Sequence, residues 1–263
     1  MILNKIPAKL ENEQVIYKLS VDSEPLLLNE FIGKKIKITF EHKLTCIDCQ
    51  KNVSKFYGQG LCYVCTMASP MNSPCIINPE LCEAHLGKGR DIEWEKANHL
   101  QPHIVYLANS GGLKVGVTRA DQIPTRWIDQ GADEVIILAN TPYRQLAGEI
   151  EVFLKQFLSD KTNWRVMLKN EKIEGIDLLA EKQTYAAKLP ASLQEYISDD
   201  DTCYHLNFPT EKLSKTVKSV KLDKVPVLEG ILTGIKGQYL ILDGEQVINI
   251  RSHAGYNATI DFE

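Results

Sequence analysis

Four cysteines stand as two Cys-x-x-Cys pairs, Cys46-Ile-Asp-Cys49 and Cys62-Tyr-Val-Cys65, separated by the twelve residues QKNVSKFYGQGL. Each pair can set two sulfurs on one tetrahedral ion, and the intervening stretch is long enough to bring the pairs together. Four thiolates with no open position describe a structural zinc. A redox dithiol would need a thioredoxin-like strand–helix setting, which the flanking sequence lacks. Farther along, Cys75, Cys82, His85 and His99 form a second candidate set. Cys82 and His85 have the spacing of a ligand pair, and Cys75 and His99 can complete a tetrahedron. The other reading of this set is two buried thiols and surface histidines. Cys203 stands apart and reads as a small buried hydrophobe.

A different chemistry is suggested by YLANSGGLKVGVT, Tyr106 to Thr118. Two strand-like runs flank a Ser-Gly-Gly turn, with Tyr106 on the first arm and Lys114 and Gly116 on the second. Arg126 follows on a short segment, PTRWIDQG, and Glu149 and Glu151 on a longer one, PYRQLAGEIEVFLKQFL. Helical phase separates the two glutamates. Ala147, Ile150, Leu154 and Leu158 form an apolar stripe; Glu151 points into it and Glu149 points nearly opposite. A carboxylate on a buried face needs a partner, a proton or a metal, and Arg126 is the natural partner. Either the two form an ion pair holding helix to sheet, or they belong to a site.

These residues need elements to hold them, and the chain reads as five segments of an α+β protein. Residues 1–45 are β-rich, with LLL at 26–28 and KIKITF at 35–40 joined through a turn at Gly33, and Ile36, Ile38 and Phe40 on the buried face. Residues 46–102 are the Cys-rich, zinc-ribbon-like segment, whose few regularly spaced apolar residues cannot build a core without metal. Residues 103–160 read strand, strand, helix, strand, helix, with Thr141 as a cap and Pro142 in the first turn of the last helix. Residues 161–224 carry helical stretches near 176–187 and 190–198 and a series of lysines, Lys212, Lys215, Lys218, Lys221 and Lys224. That series is either a solvated linker or a strip that tracks phosphates. Residues 225–263 are β again, with a hairpin across Asp243-Gly244. The strands at 26–40 and 225–262 are expected to pair in one small barrel. Trp127 reads as core. Trp164 reads as core too, or as half of an aromatic–basic pair with Arg165.

The composition is that of an ordinary soluble chain, 44% hydrophobic and 24% charged, with no apolar run of membrane-spanning length. No secretion signal is evident and six of seven cysteines are clustered, so a cytoplasmic metal-binding protein is expected. The net charge of -4 excludes a global field for nucleic acid; such binding would need a local patch.

Residues 103–158 resemble a GIY-YIG nuclease domain, a small mixed sheet with helices. Ile104-Val105-Tyr106 matches the first triplet, Lys114-Val115-Gly116 the second, Arg126 the arginine of the first helix, and Glu151 the glutamate of a later helix. The lysine in place of the second tyrosine resembles the compact branch of that family. The resemblance implies Tyr106, Lys114, Arg126 and Glu151 as catalytic residues. Tyr106 would orient or deprotonate water, Arg126 would clamp the phosphate, and Glu151 would hold Mg2+ or Mn2+. It also implies DNA or RNA as partner, and no membrane. A charged lysine cannot accept a proton unless its pKa is strongly lowered, so a non-cleaving reader of nucleic acid stands beside the nuclease. YLANSGGLKVGVTR, PTRWIDQGA, TNWR and GIKGQYLI also resemble an uncharacterised bacterial family known by a domain-of-unknown-function label. The competing expectation is a protein-interaction or assembly factor in which zinc segment and hairpin are scaffold.

Overall fold

The computed structural model describes all residues except 22–23, 160–162, 170–174 and 211–216. In chain order its strands are β1 (Ala8–Glu11), β2 (Gln14–Val21), β3 (Glu24–Leu27), β4 (Lys35–Thr45), β5 (Asn52–Val53), β6 (His103–Asn109), β7 (Leu113–Arg119), β8 (Glu134–Thr141), β9 (Cys203–His205), β10 (Lys218–Ser219), β11 (Val227–Lys236), β12 (Tyr239–Leu242), β13 (Gln246–Asn249) and β14 (Tyr256–Phe262). Its α-helices are α1 (Tyr63–Ala68), α2 (Ile92–His99), α3 (Thr125–Asp129), α4 (Arg144–Leu154), α5 (Trp164–Lys169) and α6 (Leu178–Ala186). The fold is α+β with several small sheets. The chain divides into two compact units: residues 1–67, 168–170 and 207–263, and residues 68–167 and 171–206.

In the first unit, β4 is the organising strand. Ile36, Ile38 and Phe40 are buried while Lys35 and Lys37 are exposed, the alternation of a strand with one wet face. β4 pairs antiparallel with both β11 and β14, inside the order β10-β13-β12-β11-β4-β14. The N- and C-terminal β segments therefore do share a sheet. Two expectations need correcting. Leu26 and Leu27 lie in β3, which pairs with β2 in a separate three-stranded sheet. The large sheet is also an open ladder among the described residues, so the expected barrel is not formed. β12 and β13 are joined across Asp243 and Gly244, both at positive φ (54° and 71°), as a tight hairpin requires. Lys218, Lys221 and Lys224 are exposed; Lys212 and Lys215 lie outside the described residues.

The second unit contains the sheet β7-β6-β8-β9. β6 is central and every one of its residues is buried, which is why HIVYLA reads as continuous rather than alternating hydrophobicity. Its turn to β7 is Ser110-Gly111-Gly112, with Gly111 at φ 75°. α4 lays Ala147, Ile150 and Leu154 on Val105, Leu107, Val115, Ile136 and Leu138. Burying one such aliphatic side chain stabilises by roughly 1.5–3 kcal/mol. α4 starts later than expected. Tyr143 occupies the capping position, and the Thr141 hydroxyl donates to the carbonyls of His103 and Tyr143 instead of capping the helix, so Pro142 precedes it. Trp127 is fully buried. Trp164 is half-buried beneath the Arg165 guanidinium, 4.3 Å from the ring centre. Among the described residues no helix is long and apolar enough to cross a membrane.

Candidate functional site

The first thiol group is assembled by a hairpin tip and a helix start. Cys46 follows β4, and β5 folds back on β4 through Leu44–Val53 and Thr45–Asn52 pairing. The Cys46 amide donates to Lys51 O at 2.9 Å and the Gln50 amide to Cys46 O at 3.0 Å, which curls Cys49 toward Cys46. Cys62 precedes α1, and Cys65 lies in its first turn. Gly60 carries the chain between the pairs at φ 72°; a Cβ there would meet Ala254 O at 2.8 Å. Ligand atoms of Cys46, Cys49, Cys62 and Cys65 all lie within 4.8 Å of one another, and Cys49 Sγ is 3.9 Å from Cys62 Sγ. Tetrahedral zinc with ordinary Zn–S bonds sets sulfurs about 3.8 Å apart, so the group fits such an ion. The Cys62 amide also donates to Cys46 Sγ at 3.3 Å. Burial pushes the Cys46 thiol up, but amides of Cys62, Cys49 and Asp48 outweigh it and hold it at about 6. Burial and the neighbouring sulfurs push Cys65 the other way. Thiols this close cannot all ionise without a cation between them.

The second group has a different composition. Cys75 lies in the turn Pro74–Ile76 and Cys82 follows the turn Pro79–Leu81. α2, capped by the Asp91 carboxylate on the amides of Glu93 and Trp94, places Glu95 and His99 on one face at i,i+4 spacing. Cys75, Cys82, Glu95 and His99 are all buried, with ligand atoms within 4.8 Å of one another. His99 Nδ1 is 3.5 Å from Cys82 Sγ and 4.0 Å from Cys75 Sγ. Zinc bond lengths predict about 3.6 Å for such a sulfur–nitrogen pair. The hydrogen bond from Cys75 holds the Cys82 thiol down at about 4 and pushes Cys75 up. His85 is not in the group: its ring stacks on Tyr143, centres 5.0 Å apart and planes at 13°. The expected fourth ligand is thus replaced by Glu95. Its signal was present in DIEWEKANH, where an Asp cap precedes a Glu and a His four residues apart.

This loop is bolted to α4. Arg144 donates to the carbonyl of Cys75 from Nε (3.0 Å) and Nη2 (2.8 Å), and its charge reaches both Cys75 and Cys82. With a divalent ion bound, two thiolates and one carboxylate would leave one negative charge, which Arg144 would offset. One turn on, Gly148 meets the loop backbone directly: a Cβ there would lie 2.1 Å from Glu80 N and 2.4 Å from Pro79 C.

Tyr106 lies on β6, Lys114 on β7, Arg126 on α3 and Glu151 on α4; the charges of Arg126 and Glu151 act on Tyr106, and that of Arg126 acts on Lys114. Tyr106 pairs across the sheet with Gly116, and a Cβ on Gly116 would lie 2.6 Å from the tyrosine hydroxyl, so the ring occupies the space a side chain would fill. β8 carries an extra residue opposite the Val105–Tyr106 step, a bulge that re-aims the strand there. The Tyr106 hydroxyl donates to Gln130 Oε1 at 2.7 Å and lies within reach of the Arg126 side chain and the Glu151 charge. Burial pushes its pKa to about 12 against the pull of Arg126, so the phenol remains a proton donor at neutral pH. Lys114 is fully buried; burial, and then the charge of Arg126, lower it to about 7. Glu151 is buried, as its helical phase requires, and forms a 3.3 Å ion pair with Lys155 one turn on. Arg126 is half-buried on α3.

Residues 33–258 match one family profile, described as "Protein of unknown function (DUF2797)". The chain belongs to the DUF2797 family. No curated protein and no solved structure is significantly similar to it. Membership spans both thiol groups, the β6–β7 hairpin and α4, so the residues described above all lie within the family's shared region.

Proposed function

We propose that the protein is a zinc-containing nucleic-acid-binding protein whose β6–α4 region binds a phosphodiester and, with Mg2+ or Mn2+ at Glu151, cleaves it. What supports this reading is that the charges of Arg126 and Glu151 reach Tyr106 and the charge of Arg126 reaches Lys114, although the four residues are distant in sequence. Arg126 is the phosphate clamp, and Lys155, paired with Glu151, adds a second partly exposed cation. Tyr106, protonated, positions the attacking water by hydrogen bonding. A lysine at the second triplet can serve as the acceptor: burial and the charge of Arg126 lower its pKa to about 7, which favours a neutral amine that can take a proton. Both thiol groups hold zinc, which ties the Cys-rich loops in place. The resemblance to GIY-YIG domains supports the same assignment of roles.

The test is incubation of zinc-loaded protein with labelled DNA and RNA, with magnesium, with manganese and with neither. Salt-sensitive binding is expected, with cleavage only when one of the two ions is present. Glu151→Gln is expected to abolish cleavage and spare binding, and Arg126→Ala to impair both. Absence of products under every condition removes the nuclease; absence of salt-sensitive binding to any nucleic acid removes the wider reading. A second reading, an assembly factor that docks a protein through the zinc segment, is favoured by exposed Tyr57, Tyr63, Val64 and Met67 around the first thiol group.

A further inference from the structure

The second thiol group differs from the first in ligand type and in what lies beside it. Glu95 is a carboxylate 3% exposed, set against two thiols and an imidazole. Its place is prepared: a Cβ on Gly89 would lie 2.3 Å from Glu95 Cγ and 2.8 Å from Oε1, so only glycine lets the carboxylate lie there. A carboxylate beside a metal-bound histidine often serves only to orient the ring through the nitrogen that does not bind. That role does not fit here. Glu95 Oε2 and both sulfurs converge on the same atom, His99 Nδ1. The carboxylate and the ring nitrogen therefore face one centre together with the thiols.

Against Cys75 and Glu95 lies a cavity of about 220 Å3. Ser73 lines it, with its hydroxyl oxygen buried and lacking a hydrogen-bond partner among the described residues; Arg90 and the Lys88–Glu83 ion pair form its rim. Thiolate and imidazole are strong zinc ligands, whereas a single carboxylate oxygen is the harder and more readily exchanged one. We propose that Cys75, Cys82, His99 and Glu95 bind a divalent transition-metal ion of the zinc class at which Glu95 is a displaceable ligand, and that the position it vacates accepts water or a small anion entering from this cavity. The first group, with four thiolates, is closed; the second is openable. The exchange is a ligand substitution alone: the carboxylate oxygen leaves as the anion binds, and no electron is transferred. This inference is independent of the phosphodiester site.

Cobalt-substituted full-length protein tests it, with azide as the probe. Two cobalt ions per chain are expected, and azide should shift the visible d–d absorption of one of them. Glu95→Cys, which closes the site with a third thiolate, should retain both ions and lose the azide response. Glu95→Gln, nearly isosteric and a weaker ligand, should bind azide more tightly than the wild type, and it carries the test should Glu95→Cys fail to fold. The proposal is overturned by one cobalt per chain, by a wild-type spectrum unmoved by azide, by an azide response undiminished in a folded Glu95→Cys protein, or by Glu95→Gln binding azide no more tightly than the wild type.

Discussion

Gly148→Ala in α4 sets two known effects against each other. In the interior of an exposed helix, alanine is favoured over glycine by about 1 kcal/mol. At this position the new methyl would lie 2.1 Å from Glu80 N and 2.4 Å from Pro79 C. Ordinary carbon contacts are near 3.5–4.0 Å, so helix or loop must withdraw by more than an ångström. Overpacking costs about 1–3 kcal/mol; with backbone on both sides and no side chain to rotate away, the upper end applies. The net expectation is a loss of about 2 kcal/mol, or about 4–8 °C in melting temperature for a chain of this size. Thermal and urea unfolding of the zinc-loaded protein measures it. The same comparison after chelation is the sharper half. The loop opposing Gly148 is held by Cys75 and Cys82, so removing the metal frees it to retreat, and the alanine penalty should shrink or change sign. An alanine variant at least as stable as wild type in the zinc-loaded state would refute the packing argument; an equal penalty with and without metal would refute the coupling.

Cys49→Ser should lower the stability of the zinc-loaded protein by several kcal/mol and reduce the zinc content, because metal binding there is folding free energy; a melting temperature equal to wild type would remove the structural role. Lys114→Met should stabilise at pH 6. Burial lowers the folded pKa from 10.5 to about 7, so between those values the unfolded chain holds a proton the folded one lacks, and wild-type stability rises with pH across that window. The cost of the buried ammonium, up to about 5 kcal/mol, stands in full below pH 7 and is gone above pH 10.5; a gain from methionine that did not fade with pH would refute this. Gly116→Ala should dislodge the Tyr106 hydroxyl from Gln130 and destabilise by about 1–3 kcal/mol, observable as changed tyrosine absorption alongside the melting curve.

What the sequence made legible is local. The two Cys-x-x-Cys pairs, the Ser-Gly-Gly turn, the alternation in β4 and the phase of Glu151 each depend on a few neighbouring residues, and each is found in the fold. Pairings across distance were harder. The three-stranded sheet of β1, β2 and β3 has short strands with little to distinguish them from β4, and the turn at Gly33 suggested that LLL pairs with KIKITF, whereas Leu26 and Leu27 pair with β2. Thr141 resembled a helix cap because its neighbours are helix-start residues, yet its hydroxyl is drawn to the carbonyl of His103 on the adjacent strand. Glu95 resembles the many glutamates of solvated helices; only the fold puts it beside two thiols from a loop with no periodic pattern. His85 had the right spacing from Cys82, but the turn Ala84–Leu86 carries it onto Tyr143.

The pairing of β4 has a consequence for how the chain is made. Phe40 faces Ala258 and Ile38 faces Leu228, so a strand synthesised early has both its neighbours near the far end. The second compact unit is spelled out in between. Emerging from the ribosome, that unit can complete its own core while the stretch of β4 that carries Ile36, Ile38 and Phe40 still has neither edge covered, β5 reaching only Leu44 and Thr45. For that interval it is the segment most exposed to mispairing with another chain. Lys35 and Lys37 on its opposite face and Glu41 and Lys43 beyond are the charges that keep such encounters unproductive.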